Sequence, residues 1–328
     1  MRDVGLGEQP SRIHPRTVER LKEQADFRRL PRERAQATMQ PFTEHNATDI
    51  VVASLAESRS ERFRQIMKSV ISHLHAIVRE VEPTTAEWMT AIDFLTRTGQ
   101  VCDGKRQEFI LLSDVLGVSM LVDAVNHRKP SGATESTVLG PFHVPDAPAL
   151  PMGANISHGP DGEAVLVRGT IRDTDGRPIG GATLDVWQTS ADGFYDVQDE
   201  RQTPMNLRGV FTTNQDGRFW FRTIKPASYP IPTDGPVGEI LGAMGRSEMR
   251  PAHIHFIVGA PGHESVTTHL FVEGDPYIDS DAVFGVKETL IAPFTKCDNP
   301  GQAADLQIGN PFYLLEWDFV LARIGDAG

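Results

Sequence analysis

Phe63, Ile66, Met67, Val70, Ile71, Leu74, Ile77, Val78 and Val81 recur at steps of three and four, which places them on one face of a helix that must end before Pro83. Thr84-Thr85-Ala86-Glu87 offers a capping box for a second helix bearing Trp88, Ile92 and Leu95, and a third amphipathic stretch runs from about Phe109 to Val125. Short connections let these helices pack on one another as a helical unit. Its wide apolar stripes suit either ordinary core faces or the cover of a sheet or partner subunit. Beyond a Pro/Gly-rich passage over 140–151 the pattern turns to short strands. Residues 164–171, the turn Asp173-Thr174-Asp175-Gly176 and residues 182–188 predict one hairpin. Residues 209–213, the turn Asn214-Gln215-Asp216-Gly217 and residues 218–222 predict a second, so the second half reads as a β-sandwich.

The chain is therefore expected to be mixed α+β and mainly β. A helical unit over 42–130, suited to dimerisation, precedes an antiparallel sandwich over 131–328. Residues 1–41 are polar and arginine-rich, and read as a disordered or partly helical tail. Acidic residues interspersed there, and no following apolar run, argue against a secretory or organelle-targeting leader; Met39 is an alternative natural start.

Composition narrows the function. No apolar run approaches the ~18 residues of a bilayer span. A net charge of −12, with no basic stripe interleaved with aromatics, excludes nucleic acid as the expected partner. Cys102 and Cys297 stand far apart in no metal spacing, which leaves neither a disulfide framework nor a thiolate zinc site and fits a reducing cytoplasm.

Candidate chemistry begins at Arg250-Pro251-Ala252-His253-Ile254-His255, which runs into a β-forming segment. Side chains two apart on a strand share a face, so His253 and His255 can converge on one metal ion. His73 and His75 lie about 200° apart around a helix and cannot. With no cysteine nearby, the remaining donors would be carboxylates such as Asp185 or Asp196, or phenolates. Of four tyrosines, Tyr195 and Tyr229 lie in irregular segments upstream of the histidines, while Tyr277 and Tyr313 follow them.

The order Ala191-Asp192-Gly193-Phe194-Tyr195, Pro226-Ala227-Ser228-Tyr229-Pro230-Ile231-Pro232, the His253/His255 block and Asp279-Ser280-Asp281-Ala282-Val283-Phe284-Gly285-Val286-Lys287 resembles the non-haem Fe(III) intradiol ring-cleavage dioxygenases. The resemblance runs from about Thr43 to the end of the chain. It implies one Fe(III) per subunit and no organic cofactor, with Tyr195 and His253 as equatorial ligands, Tyr229 and His255 as axial ones, and water or hydroxide as the fifth. Two phenolates and a hydroxide would balance the three charges of the ion. The resemblance makes Tyr229 a general base as well as a ligand, with Arg250 stabilising anionic intermediates of a reaction between an aromatic diol and O2.

Residues 109–124 and 133–142 are most similar to the hydroxyquinol-cleaving branch. There the positions matching Leu111, Asp114, Val138, Leu139, Gly140, Pro141, Phe142, Ile231, Pro232, Arg250 and Val283 line the ring pocket. A carboxylate at Asp114 on an otherwise apolar face is costly to bury without a donor, and the third hydroxyl of benzene-1,2,4-triol is one. His269 stands where many catechol-cleaving relatives carry glutamine, without an assigned role. The resemblance further implies a homodimer joined through the N-terminal helices, where relatives bind a phospholipid at the dimer interface. The expected product is maleylacetate, or 3-hydroxy-cis,cis-muconate. A catechol or chlorocatechol 1,2-dioxygenase is the near alternative; a non-enzymatic sandwich binding module is a remote one. A zinc hydrolase built on His253 and His255 lacks a third ligand at helical spacing.

Overall fold

A computed structural model describes residues 41–325, apart from 105 and 160. The tail expected over 1–41 therefore lies, but for Pro41, outside the described residues. The chain divides into two compact units, one ending at Arg97 and one beginning at Thr98.

The first unit is helical. It holds α1 (Ala47–Ala53), α2 (Glu61–Val81) and most of α3 (Thr85–Gln100). Ser60 caps α2 by accepting from the Phe63 amide, and Glu82 ends it in the left-handed region, immediately before Pro83. The expected capping box forms: the Thr84 amide donates to Glu87 Oε2 at 2.8 Å and the Glu87 amide to Thr84 Oγ1 at 3.3 Å. The short α1, which the hydrophobic pattern did not predict, is tied to α2 through Thr48, 3.0 Å from His75 Nδ1 and 3.1 Å from Arg79 Nη1. Among the described residues the stripe on α2 is left uncovered. It buries no residue, and Phe63, Ile66, Val70, Leu74, Ile77 and Val81 are 42–63% exposed. No helix among the described residues is long and apolar enough to cross a membrane.

In the second unit the third amphipathic stretch is two helices rather than one, α4 (Glu108–Val115) and α5 (Val118–Asn126). Gly117 lies between them at φ +72°, a conformation that a side chain penalises and helical periodicity cannot reveal. The break turns α5 back on α4, and Ser119 Oγ donates to Ser113 Oγ at 2.9 Å.

Two five-stranded sheets follow. One is ordered β10-β11-β1-β12 with β4 paired to β1, where β1 is Ala164–Asp173, β4 Arg218–Ile224, β10 Thr295–Cys297, β11 Phe312–Glu316 and β12 Phe319–Leu321. The other is ordered β3-β2-β7-β8-β9, with β2 Thr183–Gln188, β3 Arg208–Thr212, β7 His253–Gly259, β8 Val266–Val272 and β9 Ile291–Ala292. Parallel pairing joins β1 to β11 and β12, and β8 to β9; the other pairs in these sheets are antiparallel. A two-residue ladder pairs β5 (Tyr229–Pro230) with β6 (Met249–Arg250).

Both expected hairpins are corrected. The turns exist, with Gly176 N donating to Asp173 O at 2.9 Å and Gly217 N to Asn214 O at 3.0 Å. Each carries the chain from one sheet to the other, so β1 does not pair with β2, nor β3 with β4. Alternation marks an inward face but not the neighbour along the sheet. The inward faces meet in one core that includes Val165, Val167, Leu184, Val186, Ile254 and Phe256, with Phe211 of β3 and Phe221 of β4 stacked at 4.9 Å across it.

Candidate metal centre

β7 is the central strand of its sheet, and strand alternation aims His253 and His255 to the same side. Their Nε2 atoms are 3.1 Å apart. Antiparallel pairing with β8 puts His269 directly opposite His255. The β5–β6 ladder sets Tyr229 opposite Arg250, three residues before β7 begins at His253. Tyr195 comes from the irregular chain after β2. Its amide donates to Gln198 Oε1 at 3.0 Å, and the adjacent Asp196 accepts from Met205 N at 2.9 Å and Arg208 Nε at 2.8 Å.

These elements bring four donors together. Tyr195 Oη is 2.8 Å from His255 Nε2 and 3.4 Å from Tyr229 Oη. Tyr195, Tyr229, His253 and His255 are all at most 5% exposed. Pro251 O, 2.7 Å from His253 Nδ1, can only accept, so Nδ1 carries the proton and Nε2 presents a lone pair to the cluster. Burial, followed by Arg250, lowers the His253 pKa to about 3; burial, then His269 and His253, pushes His255 well below the ordinary value. Burial and the neighbouring Tyr229 push the Tyr195 phenol well above its usual pKa. Neutral imidazoles whose Nε2 atoms converge, beside a phenol whose ionisation burial opposes, fit a cation that would separate the donors and draw off the phenolic proton. His253, His255 and His269 by themselves form a buried set whose donor nitrogens lie within 4.8 Å of one another.

Arg250 is the cluster's fixed positive charge. Its Nη1 is 3.3 Å from Tyr229 Oη and 3.4 Å from His253 Nε2, and its Nε donates to Asp281 Oδ1 at 3.1 Å. Burial works against the guanidinium, but the Asp281 carboxylate outweighs it and raises its pKa; in turn Arg250 overcomes burial at Asp281 and lowers that one. Asp281 also accepts from the amides of Val283 at 3.3 Å and Gly285 at 2.8 Å. Asp275 Oδ2 accepts from Ser228 Oγ and from the Ala252 amide, at 2.5 and 3.0 Å, tying the residues immediately before Tyr229 and His253 to one carboxylate. Neither supporting role was read from the sequence, although Asp281 lies inside a motif that invited one. The carboxylates weighed as ligands are engaged elsewhere: Asp185 lies 2.9 Å from His143 Nε2, and Asp196 is in a buried ion pair with Arg208. Tyr313 on β11 lies under Lys225 Nζ, and Tyr277 caps a short turn; neither joins the cluster.

The expected ring-pocket residues are placed unevenly. Leu111, Ile231 and Val283 share an apolar cluster with Val115, Val237, Leu241 and Ala282. Asp114 is half-buried on α4; burial raises its pKa, against opposing effects from Ser119 and Arg250. The segment leading to Pro141 is anchored on β8 by the Thr137 amide, which donates to Thr267 O at 2.9 Å. Gly140 (φ +77°) crosses so close to the cluster that a Cβ there would be 3.3 Å from His255 Cε1. Phe142 stacks on Tyr195 at 4.5 Å. No hydrogen bond or ring contact joins Val138, Leu139, Pro141 or Pro232 to the donors. Two cavities, of about 510 and 840 Å³, include none of the donors in their walls; one is lined by residues such as Lys129 and Thr134, the other by residues such as Arg168 and Trp220.

A family model described as Dioxygenase matches residues 138–323, and one described as Catechol dioxygenase N terminus matches residues 60–134. The chain is 56% identical to a hydroxyquinol 1,2-dioxygenase of Rhizobium sp., over 86% of this chain and 96% of that one. It is 52% identical to a 6-chlorohydroxyquinol 1,2-dioxygenase of Cupriavidus pinatubonensis, over 86% and 99% of the two chains. Its structure matches that of a hydroxyquinol 1,2-dioxygenase from Pseudomonas putida with a TM-score of 0.82 and 50% identity, covering 85% of this chain and 98% of that one.

Proposed function

The chain belongs to the intradiol ring-cleavage dioxygenases, and from that premise we propose that it opens hydroxyquinol (benzene-1,2,4-triol) with O2 to give 3-hydroxy-cis,cis-muconate, whose keto form is maleylacetate. The observation that carries this reading is the buried convergence of Tyr195, Tyr229, His253 and His255 beside Arg250. These four side chains would hold one non-haem Fe(III), two hard phenolate oxygens suiting the trivalent ion better than a purely imidazole set. When bound, the ion supplies a Lewis acid that favours the dianion of the diol.

The protein's own groups do the rest. Tyr229 Oη accepts one diol proton, and the guanidinium of Arg250, 3.3 Å away and held by Asp281, favours negative charge at that point. Leu111, Ile231 and Val283 give the ring an apolar wall. Asp114, half-buried on the same helix as Leu111, accepts from the third hydroxyl, which catechol lacks. Val138, Leu139, Gly140, Pro141, Phe142 and Pro232 complete the lining. Both atoms of O2 enter the product as the bond between the two adjacent hydroxylated carbons breaks. The exposed stripe of α2 supports a homodimer through the N-terminal helices with a phospholipid along that face, and the unpaired Cys102 and Cys297 suit the cytoplasm.

Oxygen uptake by iron-loaded protein tests the proposal, with hydroxyquinol, catechol and 4-chlorocatechol in parallel and with Tyr229→Phe and enzyme-free controls, because hydroxyquinol autoxidises. Uptake far above both controls and greatest with hydroxyquinol is expected. Preference for catechol would keep the iron chemistry and discard the role of Asp114. No uptake with any diol would overturn the enzymatic reading.

A further inference from the structure

The carboxylate of Asp114 is held from the next helix. On an unbroken helix a residue five positions on lies about 140° around the axis and about 7.5 Å along it, out of reach of a short side chain. The left-handed turn at Gly117 (φ +72°) folds α5 back on α4 instead, and Ser119, half-buried in the first turn of α5, becomes a side-chain hydrogen-bond partner of Asp114. Ser119 Oγ is also 2.9 Å from the hydroxyl of Ser113, the residue before Asp114. A hydroxyl carries one proton and rotates to suit, so Ser113 can donate to Ser119 and leave the Ser119 proton for the carboxylate.

That contact acts against its surroundings. Burial raises the Asp114 pKa, and Asp281 adds to it; Ser119 and, after it, Arg250 lower it. Because Arg250 and Asp281 form the ion pair beside Tyr229, their influence puts the carboxylate within electrostatic reach of the donor cluster. An ionised carboxylate offers about four lone pairs, so one hydroxyl of the protein leaves room for a donor from a ligand. We propose that Ser119 is a positioning residue for specificity: its hydroxyl, backed by Ser113, fixes the orientation of the Asp114 side chain so that a carboxylate oxygen meets the third hydroxyl of the ring. This rests on the reading of Asp114 as the acceptor for that hydroxyl. Catechol makes no such contact, and its binding is indifferent to Ser119.

Anaerobic titration of iron-loaded full-length protein with hydroxyquinol and with catechol, followed through the phenolate-to-iron absorption band, reads binding apart from turnover. Ser119→Ala should weaken hydroxyquinol binding about five- to tenfold and leave catechol binding within about twofold. Ser119→Thr, which keeps the hydroxyl, should stay within about threefold of the wild type for both diols. Added to Asp114→Leu, Ser119→Ala should change neither affinity further, because the side chain it positions is gone. Unchanged hydroxyquinol affinity in Ser119→Ala overturns the proposal, as does an equal loss with both diols, a loss that Ser119→Thr shares, or a loss that persists in full on the Asp114→Leu background. Asp114→Leu that binds hydroxyquinol as tightly as the wild type would sink the reading of Asp114 and this inference with it, an outcome that single variant shows separately from the Ser119 variants.

Discussion

The donor cluster and the ring pocket lie side by side and are built on different terms. Every proposed ligand is at most 5% exposed, whereas the pocket lining includes Leu139 at 43% and the exposed Pro141 and Pro232 beside the buried Ile231 and Val283. His253 and His255 stand on the central strand of a five-stranded sheet, and Tyr229 and Arg250 on a two-residue ladder clamped by Asp275 and Asp281. Leu111 and Asp114 come from a two-turn helix, and Val138, Leu139, Pro141 and Pro232 from irregular chain. On this reading the proposed chemistry is mounted on paired strands and the proposed selectivity on a short helix and irregular chain. Substitutions in the first region should abolish function and those in the second should redirect it.

The hardest test of that contrast is His255→Ala. It should lose most of its iron and lower O2 uptake at least about a thousandfold, measured by metal analysis and an oxygen electrode on the same sample. Retention of iron with activity within tenfold of wild type would show that the cluster is as tolerant as the pocket.

Acid should weaken the iron-free protein through the same cluster. The folded-state pKa of His253 lies at about 3 and those of His255 and His269 well below normal, so each neutral ring contributes stability that is present above about pH 6.5 and lost as the pH falls. Each imidazole accounts for up to about 1.4 kcal/mol per pH unit in that range. Asp281, whose pKa is lowered, adds a loss at more acid pH, while Asp114, whose pKa is raised, acts oppositely and stabilises most below its unfolded value. Urea midpoints at pH 7.5 and 5.5 should differ clearly; equal midpoints would mean that the three rings are not desolvated together.

In the pocket, Asp114→Leu should leave iron content unchanged and lower the hydroxyquinol-to-catechol ratio of kcat/KM by about 10- to 100-fold. An unchanged ratio would place selectivity elsewhere in the lining. The smallest effect lies outside both regions. Thr84→Ala removes one half of the capping box on α3 and should cost about 1 kcal/mol in urea unfolding, with O2 uptake per iron unaltered. A fall in uptake would tie the helical unit to the chemistry.

Much of this was legible in the primary structure. Period and punctuation marked α2 and its stop at Pro83, the Thr84–Glu87 cap and the strand-borne His253/His255 pair, because those features depend on neighbours within one turn or one pleat. The break at Gly117 was hidden, since a glycine at positive φ leaves an apolar pattern intact on both sides. The two expected hairpins failed for a related reason: their turns are local, but the choice of sheet is not.

The sequence by itself determined which chemistry is available: two histidines on one face of a strand, two tyrosines in irregular chain before them, an arginine three residues upstream of the pair, and an acid on an apolar helix. Tertiary structure decided which of these meet. It selected Tyr195 and Tyr229 over Tyr277 and Tyr313, turned Asp185 and Asp196 away from the histidines, and brought His269 against His255 through the register of β7 and β8. Those decisions rest on contacts between residues tens of positions apart, which local pattern does not encode and which the closing of the two sheets on a shared core imposes.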